Sequence, residues 1–439
     1  MLMCAKLIRK LFFLKIILKN QDFKMFFYSF FRSNSVIILI GSMLYLYSFC
    51  TLAQNTTEII SKTYQPGEVK CGDERLSEYI PLLKGKKVAV VANHSAMIYK
   101  THLVDTLLSL DIDVLKIFAP EHGFRGIADA GQTIGNYTDK KTDIPVVSLY
   151  GKKKKPTKED LKNIDLVVFD IQDVGARFYT YISTLHYVME ACAEQNKTLL
   201  VLDRPNPNGH YVDGPVLEDG FHSFIGMDPV PIVHGMTIAE YARMLNGESW
   251  LTNGEQCKLI CIPCKNYNHS GYYELPVAPS PNLPNMSSVY LYPSLCLFEG
   301  TAISVGRGTD KPFQLIGHPK LKNTRTDFKP MSIPGAKHPK YEREICHGFD
   351  LSEFGQIFIK TYDKLYLYWL LSFYKEFPDK EHFFNDNNMF NLLAGNDKLM
   401  KQIKDGMSEQ EIRNSWQPEL EKFLKIRAKY LLYKDFKQE

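Results

Sequence analysis

Between residues 86 and 204 the chain repeats one pattern, a short and almost wholly apolar run followed by a helical or irregular stretch. The runs are KKVAVVAN, DVLKIFAP, IPVVSLYG, DLVVFDI and KTLLVLDR. They are apolar at consecutive positions and rich in Val, Ile and Leu, the composition of strands covered on both faces. Between them THLVDTLLSL and RFYTYISTLHYVMEACAEQ read as helices. The alternation predicts an α/β fold, a parallel Rossmann-like sheet wrapped by helices. No GxGxxG follows the first strand, so a dinucleotide cofactor is not indicated.

From about residue 205 the text turns to Pro, Gly and Asn, in DRPNPNGHYVDGPV and VAPSPNLPNM. Long irregular segments inside a compact protein are usually functional loops. Further on, YLYPSLCLFEGTAISVGRGTDKPFQ and YDKLYLYWLLSFYKEF mix strand-like and helix-like pieces. The division expected is a leader over 1–53, a Rossmann-like catalytic domain over 66–285 and a smaller C-terminal α+β domain over 286–439 that completes a cleft.

The 439 residues are 45% hydrophobic and 13% aromatic, enough for a large core, and carry a formal charge of +4. That charge belongs to the leader, where seven Lys/Arg face one Asp, leaving about −2 for the rest; nucleic-acid binding has little support. SVIILIGSMLYLYSFCTLA behind Lys24 and Arg32 has the order of a secretory signal peptide, with cleavage expected after Ala53 and Met25 an alternative start. The protein is therefore expected to be exported, periplasmic or envelope-associated, touching membrane only through this leader. Its oligomeric state is not legible. Seven cysteines follow the leader without framework spacing, which argues against a disulfide scaffold. Cys257, Cys261 and Cys264 cluster in CKLICIPC, with His269 the only near fourth ligand for zinc; the alternative is small apolar side chains in a strand.

Ligands of open parallel sheets bind beyond the carboxyl ends of the strands. Those exits read Asn93-His94, Glu121-His122, Asp170-Ile171-Gln172-Asp173 and Asp203-Arg204. Any one of them is explained by a helix cap or a loop ion pair; four at one edge point to a shared pocket. In FAPEHGFRG, Pro120 restricts the backbone before Glu121, and Gly123 and Gly126 permit tight turns after it, as suits a side chain held in place. Desolvation would raise its pKa toward that of a general acid, while His122 or Arg125 would oppose this. Glu299 ends a second apolar run before the Gly-rich GRGTDKP with Arg307 and Asp310, which lacks P-loop spacing. Glycosidases use two carboxyl groups flanking the scissile bond, so Glu121 and Glu299 could face each other across a cleft. The alternative for Glu299 is a structural pair with Arg307. Arg177, Tyr181 and Thr184 share a helical face, with Asp173 as its cap, serving either sugar binding or packing. His186 and Glu190 lie four apart with no third ligand, and neither HEXXH nor GxSxG occurs.

Together, FAPEHGFRG, DIQDVGARFYTYISTL, LDRPNPNG with VDGPVLE, PIVHGMTIAEYA, PSPNLPNM and LYPSLCLFEGTAISVGRGTDKPFQ resemble the exo-β-N-acetylmuramidase family, NamZ type, across residues 82 to 320. The resemblance implies a Rossmann-like domain joined to a smaller one, with the site in the cleft between them. It also implies hydrolysis of the bond after a non-reducing terminal β-linked N-acetylmuramic acid, without metal or nucleotide. Glu121 matches the glutamate assigned as general acid and Glu299 the second glutamate. Substrate contacts are expected from Asn93, His122, Arg125, Asp170, Gln172, Tyr181, Asp203 and Asp310. An Arg fork among Arg177, Arg204 and Arg307 would take the anionic lactyl ether. Two rivals stay open, a non-catalytic binding protein for peptidoglycan fragments and a zinc hydrolase built on the cysteine cluster.

Overall fold

A computed structural model describes residues 67–125, 135–322 and 324–436; the expected leader over 1–53 and Gly126 lie outside them. All five apolar runs form strands, β1 (Lys87–Ala92), β2 (Asp113–Ala119), β4 (Pro145–Ser148), β5 (Leu166–Asp170) and β6 (Thr198–Leu202), with a short β3 (Tyr137–Thr138) between the second and third runs. CKLICIPC supplies β7 (Lys258–Ile262). The seven make one sheet in the order β7-β6-β5-β1-β2-β4-β3, parallel except for β3 at the edge. Strand order reverses about β1, so the exits of β1, β2 and β5 converge, the usual location of a ligand site.

Consecutive apolar residues are required because both faces are covered. Val88, Val90 and Ala92 of β1 join a core with Leu103, Val104 and Leu107 of helix α1 (Leu103–Ser109). Ala89 and Val91 face the other way, onto helices α2 (Tyr181–Glu194) and α3 (Ile238–Gly247). Val88 to Ala92 are all fully buried. The second core does not stop at the sheet. It continues through Val289 and Leu291 of α4 (Met286–Leu295) to Leu297, Phe373 and Trp416, so the sheet-bearing part and the rest share one packed interior within Val69–Glu439.

The rest is α+β, as expected. Its antiparallel sheet pairs Leu315–His318 and Thr326–Phe328 with a central Cys346–Asp350; helix Tyr368–Glu376 packs on it through Phe373 and Phe349, while helix Glu409–Arg427 packs on strand Asp213–Val216. The chain then returns to the first part. Leu432 N–H donates to Glu240, His269 N–H to the Lys434 carbonyl, and the Tyr433 hydroxyl to Asp203 while accepting from Cys264 N–H. No helix among the described residues is long and apolar enough to cross a membrane.

One expectation about the helices fails. α2 begins at Tyr181, not near Arg177, because Ala176 bridges Val233 and Arg177 N–H donates to the Ile232 carbonyl. Residues committed to extended pairing cannot also start a helix. Asp173 accordingly caps nothing; its Oδ2 accepts from Gly175 N–H at 2.6 Å.

Candidate active site

Glu121 leaves β2 into a reversal. His122 and Gly123 both take positive φ, 68° and 75°, and Gly123 N–H donates to the Pro120 carbonyl at 3.0 Å. A left-handed histidine is strained, so the turn depends on its surroundings. Arg125 supplies part of them, forking onto Asp139 through Nε at 3.2 Å and Nη2 at 2.8 Å, with its guanidinium 4.4 Å above the Phe124 ring. It braces the loop.

The Glu121 carboxylate accepts from Thr180 Oγ1 at 3.1 Å, in the residue just before α2. Tyr150, at the exit of β4, also bonds to it; burial first, then the Glu121 charge and this bond, push the Tyr150 hydroxyl well above its ordinary pKa. Tyr181 is raised too, by burial and then by Glu121, and its hydroxyl accepts from Asn93 Nδ2 at 2.9 Å. Asn93 is itself fixed by Ser95, whose N–H and hydroxyl both donate to its Oδ1. The exits of β1, β2 and β4 thus meet around one carboxylate.

The exit of β2 borders a solvent-open cleft of about 400 Å³, while Asn93, Tyr150 and Arg125 stand outside its lining. Glu121, His122 and Tyr181 form part of its wall, together with Tyr292, Arg307 and Phe313. Among the described residues lining it, Glu121 is the one carboxylate. His94, whose Nε2 contacts the Ala278 carbonyl at 2.8 Å, is held below its usual pKa by burial.

Arg307 is the cation of the cleft. Its Nε and Nη2 donate to Glu299 at 2.6 and 3.1 Å, and it stacks 4.9 Å above Phe313. Nη1 is buried without a hydrogen-bond partner among the described residues. Glu299 does not line the cleft; it stands behind Arg307, in the ion pair weighed above as its structural alternative. Asp310 sits exposed on the same loop, also outside the cleft.

The other candidates are sealed in the interior. Arg177 donates to the carbonyls of Pro215, Val230 and Leu393 and is fully buried. Arg204 forks onto Asp170 and reaches Asp73, with all three side chains at most 4% exposed. Gln172 donates to the carbonyls of Asp173 and Pro205. Asp203 accepts from Thr237 Oγ1 and Ala239 N–H at the start of α3, and burial raises it to about 7. None of these five borders the cleft. The zinc reading fails on geometry: Cys261 Sγ points at the Ala239 carbonyl, Cys264 Sγ at the Asp203 carbonyl, and His269 is taken by Gly209 and Glu240.

Sequence reasoning missed Tyr150, Thr180 and Tyr292. Only proximity in space marks Tyr150, which lies far from any motif glutamate in the chain. It also missed Asp228, which lies 2.9 Å from His186 Nδ1 and completes a network that runs from buried Tyr241 and Glu190 out to Lys155 and Thr252.

An aromatic-walled cleft at the strand ends of a doubly wound sheet, with a positioned carboxyl group, is the kind of site carbohydrate-cleaving enzymes use. Sequence models of exo-β-N-acetylmuramidase NamZ match here, the N-terminal one over residues 88–287 and the C-terminal one over 290–433. The chain belongs to this family. It is 38% identical over 433 residues to peptidoglycan β-N-acetylmuramidase NamZ of Bacillus subtilis (strain 168), spanning 92% of this chain and 100% of that protein. Two crystal structures of DUF1343 family proteins from Bacteroides fragilis NCTC 9343 share the fold. One has TM-score 0.78 and 46% identity over 84% of this chain and 99% of its own; the other has 0.72 and 30% over 84% and 100%.

Proposed function

We propose that this protein is an exo-acting glycoside hydrolase that releases non-reducing terminal β-linked N-acetylmuramic acid from peptidoglycan fragments, with Glu121 as its proton donor. The observation that carries the assignment of roles is the cleft itself: one carboxylate, Glu121, and one guanidinium, Arg307, line the same cleft, and Arg307 Nη1 lacks a partner. Muramic acid differs from glucosamine by a lactyl ether carboxylate. A charge-assisted bond from Nη1 to that carboxylate would select the sugar and orient its ring, while Glu299 fixes the guanidinium from behind. Thr180, Tyr150 and Tyr181 hold Glu121 in place, with Asn93 steadying Tyr181.

With Glu299 occupied by Arg307, the nucleophile at hand is the substrate's own 2-acetamido oxygen. Glu121 gives its proton to the glycosidic oxygen as that carbonyl oxygen attacks the anomeric carbon. The leaving sugar departs as an alcohol, and Glu121, now a carboxylate, deprotonates the water that reopens the cyclic intermediate. Two displacements give retention, as in other substrate-assisted glycosidases. The signal-like leader supports export to the cell envelope, where such fragments arise.

The test is release of monosaccharide from a terminal muramic acid disaccharide, run on wild type beside Glu121→Gln. The wild type should liberate the β-anomer first, and the variant should lose about 10²-fold or more in kcat with an unchanged melting temperature. A folded wild type that binds the disaccharide and never cleaves it would leave the binding-protein reading in its place.

A further inference from the structure

Cys71 and Cys264 lie far apart in the chain and opposite each other in the fold. Lys70 and Lys265 exchange both backbone bonds, N–H to carbonyl at 2.9 Å one way and 2.7 Å the other, which makes them a hydrogen-bonded antiparallel pair. The next facing pair along such a ladder is necessarily of the other kind, with no bonds between its members and Cα atoms about 4.5 Å apart. That pair is Cys71 and Cys264. Their N–H groups point outward as this requires, Cys71 to Glu74 Oε2 at 2.8 Å and Cys264 to the Tyr433 hydroxyl at 2.7 Å. A disulfide needs Cα atoms about 4.4 to 6.8 Å apart and converging Cβ vectors, and a facing pair of this kind provides both.

The side chains agree with the backbone. The two thiols are near enough to act on each other: burial and then the Cys71 thiol hold Cys264 well above its ordinary pKa. Both are buried, at 4% and 7% exposure, against Tyr273 and the Asp203 carbonyl. Cys71 with Asp73 and Glu74 is also the one cluster of metal-ligand types among the described residues, but Glu74 is spent on Cys71 N–H and Asp73 on Arg204. A second thiol contact, Cys192 with Cys257, has no such register: Cys192 is inside α2, and Cys257 N–H is held by Asn246.

We propose that Cys71 and Cys264 are a cross-linking site that closes to a disulfide in the folded protein, fastening the segment that carries Asp73 to the end of β7. The oxidant is a small or protein disulfide. One cysteine thiolate attacks it and expels one oxidant thiol, leaving a mixed disulfide. The second cysteine attacks that sulfur and expels the other oxidant thiol, so the two protons and two electrons lost by the cysteines end on the oxidant. In the cell the step rests on the export reading, since it needs an oxidising compartment. In the tube it does not.

The experiment is to unfold the full-length protein in denaturant with its thiols reduced, refold it in a mixture of reduced and oxidised glutathione, quench with an alkylating agent and map peptides without reduction. The expected result is one linked pair, Cys71 with Cys264, in protein that has lost two alkylatable thiols. The linked form should melt about 5 °C above the same protein reduced, because the bond closes a long loop. Folded protein in which both cysteines remain alkylatable, or in which Cys192–Cys257 is linked instead, overturns the proposal. Cys71→Ser and Cys264→Ser should each abolish the linked peptide, whereas Cys257→Ser leaves it.

Discussion

Two exits of one sheet end in ionisable residues and do opposite things with them. At β6, Asp203 and Arg204 meet donors and acceptors on every side and are closed off from water. At β2, Glu121 meets hydroxyls and an open cleft. The lesson concerns saturation. A charged group whose bonding capacity is filled by the protein serves the fold, and one left with capacity toward solvent is available to a substrate. Arg177, Arg204 and Arg307 divide by place: the first two are enclosed among carbonyls and carboxylates, and the third lines the cleft.

Removing a saturated group should break the fold, and the largest effect is expected there. Arg204→Leu leaves Asp170 and Asp73 buried without their cation, which should cost about 3–5 kcal/mol of stability, read by denaturant unfolding. A variant as stable as wild type would show that this network is not closed. Arg307→Leu, by contrast, should keep most stability and raise KM about 10-fold for muramic acid substrates, while an analogue lacking the lactyl carboxylate is affected little, since one charge-assisted bond is lost. Glu299→Gln should follow the same pattern more weakly. Equal losses on both substrates would return Glu299 and Arg307 to a purely structural role. The smallest effect concerns pH. Burial disfavours a charge on His186, but bonds to Asp228 and Glu190 outweigh it and lift the pKa to about 9 from 6.5. A raised folded pKa means stability fully present below the unfolded value and lost as pH rises through the folded one. The melting temperature should fall by a few degrees between about pH 6.5 and 9, and less steeply in His186→Gln.

Much of this was legible beforehand, and the reasons differ by residue. Strands covered on both faces must be apolar at every position, so β1, β2, β4, β5 and β6 could be read directly. The start of α2 could not, because Ala176 and Arg177 pair with residues 232–233, a contact that no local pattern announces. Glu121 stood out through the Pro and Gly around it. The roles of Arg177 and Arg204 were misjudged because arginine looks the same in a sequence whether it faces a ligand or three carbonyls. Tyr150 was invisible for a related reason: a tyrosine after a strand gains meaning only from the carboxylate that the sheet order brings to it.

The returning tail has a consequence for synthesis. Residues 432–434 donate to or accept from Glu240, Asp203, Cys264 and His269, all in the part of the chain made first. Polypeptides emerge amino end first, and early domains ordinarily fold while later ones are still being made. Here the first part cannot complete its bonding until residues 432–434 have been added. A chain that stops short of Tyr433 leaves Asp203 with one donor fewer and Cys264 N–H without its acceptor. The returning segment therefore works as a completion signal, and cutting the chain before it should be felt first around residues 203–269.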